Sequence, residues 1–405
     1  MGTAADGERD FALVLGAGRS GKAAEALLKC HGYSVTILDD KDKSHNLAIS
    51  QCSQSHNLTI SQSPNAPRFA VASPGIALTH PWIEECRKHG IPVISELQLG
   101  VEELRRRGVK MIAVTGSKGK SSVVKLVADA LGGVPCGNYG TPVCDVAMSP
   151  APPAWAVVEV SSFQLETTDL PPDAFVAAAI LNLQEDHLDR HGSVEAYHAL
   201  KRRLLGFARE AFECVAPDAS ELLGGSYFDN DILRLNGSIA AALMRSAGLG
   251  DDAIRRAFAA FAPLPHRMNT ILVRDGVRYI DDSKATSIAA LAAGVTMAGR
   301  NIRLIAGGLG KGDDAKIAIS PLRERVKKVY TIGRSADLLV SAWSGVVACE
   351  KCGTLENAVQ AVFRDVEEGD CVLLSPGAAS FDQFNSFGER GDIFADLVKK
   401  GKDKR

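Results

Sequence analysis

Between Lys110 and Leu131 the chain reads KMIAVTGSKGKSSVVKLVADAL, an apolar strand running into a glycine-lysine-serine turn and then a helix. That succession commits the region to an α/β fold and builds a cradle for nucleotide phosphates. The backbone N–H groups from Thr115 to Ser121 would point at phosphate oxygens and the helix start adds the positive end of its dipole. Lys120 neutralises charge, and the Ser121 hydroxyl is a ready Mg²⁺ ligand. Gly116, Ser117, Lys118, Gly119, Lys120, Ser121 and Ser122 are therefore the expected contacts to ATP. Only Ser117 and Lys118 separate Gly116 from Gly119, where the common P-loop has about four residues. The competing reading is a glycine turn between strand and helix with no ligand.

A chain of 405 residues has room for roughly two to four domains, each with its own core. Its 46% hydrophobic and 23% charged residues are ordinary for a soluble globular protein. A net charge of -2 argues against non-specific binding to nucleic acid or anionic membrane and favours small-molecule substrates. The start MGTAADGERD has no apolar h-region, and no apolar stretch approaches about 18 residues, so neither export nor a membrane span is expected and the location reads as cytoplasmic. Nine scattered cysteines suit reduced thiols, and Cys349 and Cys352 form a lone CxxC read as accidental spacing. No heptad seam or apolar surface stripe is evident, which points to a monomer.

Residues 11 to 39 hold a buried strand, Gly16-x-Gly18-x-x-Gly21, a helix and a second strand ending at Asp39, a Rossmann-like βαβ unit. A dinucleotide, a nucleotide-sugar diphosphate or no ligand at all would be compatible with it. Residues 44 to 62 nearly repeat themselves as SHNLAISQ and SHNLTISQ; the bland reading is a surface duplication, and His45 and His56 lack the flanking pattern of a metal site. RFAVASPGIAL then reads as a strand ending in the Ser73-Pro74-Gly75 turn, and the first domain is expected to end near residue 107.

Beyond the phosphate loop, WAVVEVSSFQLE and AFVAAAILNLQEDHLDRHG are apolar strands running into polar residues, which gather at the ligand crevice of an open α/β sheet. Glu159, His187 and Asp189 are thus expected near the phosphates. A carboxylate ending the apolar run AVVEV is costly unless paired or bound to a cation, so Glu159 reads as a metal ligand, with a salt-bridged structural role as the alternative. After Pro263 and Pro265 the chain shows a strand, an Asp-Gly hairpin turn and a strand ending in DDSKATS. RNIRLIAGGLGKGDD, KKVYTIG and CVLLSPGAASFDQF follow, each a strand with a glycine or proline turn, implying another parallel sheet.

These ordered motifs resemble the Mur ligase family, ATP-dependent amide-forming enzymes of peptidoglycan precursor synthesis, along nearly the whole chain. TGSKGKSS, EVSSFQLE, EDHLDRH, LPHRM, DDSKATS and GGLGKGDD match family-wide features, and LLSPGAASFDQFNSFGERG matches the member that adds D-glutamate. The resemblance implies three α/β domains: an N-terminal Rossmann-like domain (1–107) for the uridine nucleotide, a central P-loop-type ATPase with a mostly parallel sheet (108–264), and a C-terminal Rossmann-like domain (265–405) that closes over ATP and carries the amino-acid site. It implies that UDP-N-acetylmuramoyl-L-alanine, D-glutamate and ATP are the small-molecule partners, with no nucleic acid or membrane, and that two Mg²⁺ ions assist an acyl-phosphate route.

Residue by residue, the resemblance makes Lys120, Glu159, His187 and Lys201 catalytic. Ser121 and Glu159 would serve one Mg²⁺, and His187 with carbamylated Lys201 the other. Tyr197 and Lys201 fall at i and i+4 of one helical face, and neighbouring cations such as Arg202 and Arg203 would depress the lysine pKa as carbamylation requires; a plain solvated lysine is the alternative. Gly18, Asp39, Ser73, Gly75, Asn138 and Ser161 would contact the UDP substrate, Asn236, Arg267 and Asp282 the ATP, and Lys284, Thr286, Lys311, Ser380, Phe381 and Phe387 the D-glutamate. Ile232 and Leu233 stand where the family has His-Asn, the stretch from Lys201 to Asn236 is short, Lys41 replaces an arginine and Lys118 an asparagine. Rival readings are another amide ligase such as a folylpolyglutamate synthase, a nicotinamide-dependent dehydrogenase, and a non-catalytic descendant.

Overall fold

The computed structural model describes residues 10–40, 67–310 and 312–401, so Lys41, both copies of the SHNL repeat with His45 and His56, and Lys311 lie outside the described residues. The chain divides into two compact units, 1–229 with 233–261, and 230–232 with 262–405.

The first unit holds two parallel sheets. β1 (Phe11–Leu15), β2 (Ser34–Leu38), β3 (Phe69–Ala72) and β4 (Val93–Ser95) align in the order β2-β1-β3-β4. β5 (Lys110–Thr115), β6 (Val134–Gly137), β7 (Trp155–Glu159), β8 (Phe175–Ile180) and β9 (Ala208–Glu213) align in the order β6-β7-β5-β8-β9. Strands such as β5 and β8 are apolar along their length, as parallel strands covered on both faces must be. One continuous core joins the two sheets: Val14 and Leu27 pack in the same cluster as Val101, Val143 and Phe175.

Each sheet reverses its strand order beside one strand. β1 has β2 on one side and β3 on the other, and β5 has β7 and β8. Loops leaving such a switch strand splay apart and open a crevice at its carboxyl end. Both glycine-rich turns of the sequence leave from these strands. Gly119, at φ 83, precedes the helix Lys120–Leu131, which stops at Gly132 in the left-handed conformation.

The second unit contains β10 (Asn269–Arg274), β11 (Val277–Asp281), β12 (Ile302–Gly307), β13 (Val326–Ile332), β14 (Ala348–Gly353) and β15 (Cys371–Leu374), ordered β10-β11-β15-β12-β13-β14. β10 and β11 form the expected hairpin, with Asp275 and Gly276 both at positive φ as a two-residue turn demands; the remaining pairs are parallel. Its cores lie on the two faces of this sheet, one around Leu304 and Trp343, the other around Tyr330 and Phe394. Cys349 packs with the first and Cys352 with the second, so this CxxC does not pair its thiols. Among the described residues no helix is long and apolar enough to cross a membrane.

Candidate active site

The loop after β5 is held by its neighbour after β8. Asn182 clamps it reciprocally: its carbonyl accepts from Ser117 N at 3.0 Å, its Oδ1 from Lys118 N at 2.8 Å, and its Nδ2 donates to Lys118 O at 3.0 Å. The Ser117 hydroxyl donates to Gln184 O, accepts from Gln184 N and meets the Tyr197 hydroxyl at 3.2 Å. Ser121 and the buried Ser122 occupy the first turn of the following helix. Buried Asn236, on the helix Arg234–Ser246, lies against the loop, for a Cβ on Gly119 would fall 2.3 Å from its Nδ2. The altered asparagine motif therefore keeps this one amide beside the phosphate loop.

Two ammonium groups converge on one carbonyl. Lys120 Nζ donates to Gly116 O at 2.8 Å, and Lys201 Nζ, fully buried, donates to the same oxygen at 3.2 Å and to Thr115 Oγ1 at 3.4 Å. Lys201 also lies over the Tyr197 ring at 4.7 Å, as the i, i+4 spacing requires. Burial first, and the charge of Lys120 second, push the Lys201 pKa down to about 7, while Asp186 and Glu159 pull it up. The expected cause is corrected here. Arg202 points away to Glu213 at 2.6 Å and Arg203 donates to Leu165 O and Thr168 O; the cation that matters comes from the phosphate loop.

Glu159, at the end of β7, pairs in register with Val114 of β5 and is buried. Its Oε1 accepts from Asn138 Nδ2 at 2.6 Å, and its Oε2 is buried without a hydrogen-bond partner. Among the described residues no cation side chain forms a salt bridge with it, and an orphaned carboxylate oxygen beside a phosphate loop fits a divalent metal ligand. His187 adopts the left-handed conformation at φ 53, its ring 4.9 Å from Phe163 and 6.3 Å from Tyr197. Its Nε2 lies 3.8 Å from Asp186 Oδ2, and among the described residues no three His, Cys, Asp or Glu side chains gather as a ready metal cluster.

In the first sheet, Gly16, Gly18 and Gly21 do separate things. Gly16 needs its φ of 93, Gly18 caps the helix Arg19–Cys30, and a Cβ on Gly21 would fall 1.9 Å from Gly16 O. Asp39 Oδ2 accepts from Ala17 N at 2.8 Å, and Ser73 Oγ donates to Gly16 O at 3.0 Å, so both brace the glycine loop. Gly75 faces open space in the adjoining turn. Ser161 caps the helix Ser162–Leu165 through a reciprocal box with Gln164.

In the second unit, Asp282 is buried, its Oδ2 accepting from Ser375 Oγ at 2.8 Å and its Oδ1 from Met268 N at 3.2 Å. Burial pushes its pKa up to about 7, and Arg267 opposes the shift. Both carboxyl oxygens thus already have internal donors. Lys284 Nζ lies 3.8 Å from the centre of the Phe387 ring, and Phe387 meets the His266 ring edge-on at 6.1 Å. Thr286 precedes the helix Ile288–Ala298, Ser380 is buried after β15, and Phe381 is 71% exposed. Asn182, Gln184, Asp186 and Arg190 went unassigned from sequence, although the run ILNLQEDHLDR beyond β8 was the available signal.

Residues 114–220 match the Mur ligase middle domain and residues 266–377 the Mur ligase, glutamate ligase domain. The UDP-N-acetylmuramoylalanine--D-glutamate ligase of Koribacter versatilis is 32% identical, covering 96% of this chain and 97% of its own, and that of Myxococcus xanthus is 33% identical over the same shares. The chain belongs to the Mur ligase family. Among solved structures, MurC from Thermotoga maritima aligns at TM-score 0.54 and 14% identity, over 97% of this chain and 99% of that one. The MurF ligase of Thermotoga maritima, in complex with ADP, aligns at TM-score 0.56 and 15% identity, over 82% and 96%. At these identities the likeness speaks to the shared Mur ligase fold, and that fold is α/β throughout. As a Mur ligase the chain is an ATP-dependent, peptide-bond-forming enzyme of peptidoglycan precursor synthesis.

Proposed function

We propose that this Mur ligase adds D-glutamate to UDP-N-acetylmuramoyl-L-alanine, forming ADP and phosphate through an acyl phosphate. The observation that carries the reading is the convergence of Lys120 and Lys201 on Gly116 O beside the unpartnered oxygen of Glu159. A carboxylate is a poor acyl donor and repels a triphosphate, so the protein's task is charge management. Lys120 screens the phosphates and Asn138 orients Glu159. Ser121 and Glu159 would hold one Mg²⁺, and His187 with Lys201 the other. Bound there, Mg²⁺ would stabilise the charge spread over the transferring phosphoryl group.

The Lys201 amine, with its pKa near 7, is largely neutral at slightly alkaline pH and able to add carbon dioxide with loss of one proton, turning a buried cation into a carboxylate ligand. Residues 1–107, with Gly18, Asp39, Ser73 and Gly75, would bind the uridine nucleotide together with Asn138 and Ser161. Residues 108–264 would hold ATP, with Asn236. Residues 265–405 would supply Arg267 and Asp282 toward ATP, and Lys284, Thr286, Lys311, Ser380, Phe381 and Phe387 toward the D-glutamate carboxylates. The protein acts as a cytoplasmic monomer in this reading.

The test is phosphate release from ATP with Mg²⁺ and UDP-N-acetylmuramoyl-L-alanine, comparing D-glutamate, L-glutamate, D-alanine and no acceptor. Release that requires D-glutamate is expected; release with D-alanine alone, or with none of them, overturns the assignment.

A further inference from the structure

Arg190 stands one turn beyond His187 on the short helix Leu188–His191. Its guanidinium pairs with Glu166 through two parallel bonds, Nε to Oε1 at 3.0 Å and Nη2 to Oε2 at 2.5 Å. The remaining donors leave this sheet's own loops altogether. Nη2 reaches Ile76 O at 2.8 Å and Nη1 reaches Gly75 O at 3.4 Å, both in the turn after β3 of the other sheet. That turn is closed by Ile76 N on Ser73 O, and Ser73 Oγ in turn holds Gly16 O of the first glycine loop.

On its other side the guanidinium covers the Phe163 ring at 4.3 Å, and Phe163 meets the His187 ring at 4.9 Å. Glu166 is shared with His191, whose Nδ1 lies 3.4 Å from Oε1. An unbroken set of contacts therefore runs from His187 through Phe163, Arg190 and the Ser73–Ile76 turn to the Gly16 loop. A second arginine crosses the other way, Arg19 Nη2 donating to Gly140 O at 3.1 Å, two residues from Asn138.

We infer that Arg190 is a positioning residue for the UDP substrate: it fixes the diphosphate-facing turn of the first sheet and His187 of the second in one register, so that the uridylyl end and the reacting carboxylate of one substrate molecule are presented together. The inference rests on the substrate reading given under Proposed function. Only a planar fork serves this place. Arginine satisfies a carboxylate and two carbonyls at once while stacking on a ring, and the point charge of lysine does not.

The experiment uses full-length Arg190→Lys and Glu166→Gln proteins. Calorimetric titration of UDP-N-acetylmuramoyl-L-alanine and, separately, of ADP is followed by D-glutamate-dependent phosphate release. Arg190→Lys is expected to weaken binding of the UDP substrate and raise its KM by about tenfold or more, the scale of one lost charge-assisted bond, with ADP affinity held within about twofold. Glu166→Gln keeps the guanidinium but loosens its fork, and should shift the same constant in the same direction by less. Unchanged UDP-substrate affinity in both variants overturns the inference. So does an equal loss for both ligands, the mark of a brace for stability alone. Should the wild-type protein release no phosphate with any acceptor, the proposed reaction falls instead, and the titrations still decide the role of Arg190.

Discussion

The loops after β1 and β5 are built alike and equipped differently. Each leaves a switch strand, turns on glycines and opens a helix, so each offers backbone N–H groups and a helix dipole to an anion. Around the first, the charged groups are spent on the protein itself: Asp39 holds Ala17 N, and Arg19 reaches Gly140 O. Around the second, Lys120 and Lys201 share Gly116 O while Glu159 keeps an oxygen unpaired. The backbone cradle can grip a phosphate in either place. Chemistry also needs charged side chains held at the phosphates, and among the described residues the second loop gathers two lysines and a carboxylate with one unpartnered oxygen.

The sharpest way to break this contrast is Lys120→Ala, expected to lower phosphate release by roughly three orders of magnitude, the scale of losing a main electrostatic contact to the transferring group. Turnover within a few-fold of wild type would mean that the second loop is no better equipped than the first. Lys201→Ala should cost about a hundredfold, with partial recovery by a short carboxylic acid that stands in for the carbamate. In wild-type protein the same reasoning makes activity in limiting bicarbonate fall as pH drops through about 7, where the amine takes up its proton. A Lys201→Ala enzyme of normal activity would remove the carbamate.

Gly21→Ala probes the first loop alone. Its Cβ would collide with Gly16 O, an overpacking that costs about 1–3 kcal/mol. Thermal stability and UDP-substrate affinity should both drop while ADP affinity holds, and an unaltered UDP-substrate titration would detach that loop from the diphosphate. The smallest effect belongs to the seam between the two sheets. Glu96 is buried there with Oε1 on Cys144 N and Oε2 unpartnered, and burial pushes its pKa up from 4.5 to about 7. The folded state thus holds a proton that the unfolded chain has released, so this group's contribution is complete below about pH 4.5 and lost as pH rises through about 7. Denaturant melts of Glu96→Gln should show a shallower decline across that window.

Much of this was legible in the residues. Short apolar runs such as KMIAVT and AFVAAAI, each running into a turn or polar residues, read as strands covered on both faces, and the Asp275-Gly276 step named its own hairpin. Glu159 was legible because a carboxylate at the end of a buried strand requires a reason. The cause of the Lys201 shift was misread, since adjacency in sequence suggested Arg202 and Arg203, whereas successive helical residues face different ways and the effective cation was Lys120, eighty-one positions earlier. Asn182 and Arg190 were passed over for the same reason: their partners, Lys118 and Ile76, lie far back in the chain.

Sequence by itself determined the elements, the two glycine cradles and the Mur ligase family, because strand burial, turn chemistry and motif spacing are local properties that the order of residues carries directly. Only the tertiary structure decided which charges are compensated. Whether Asp39 holds a backbone amide, whether Glu159 keeps an oxygen free and whether Lys201 is buried beside a second lysine depend on long-range packing, and electrostatic energies follow distance and burial rather than position along the chain.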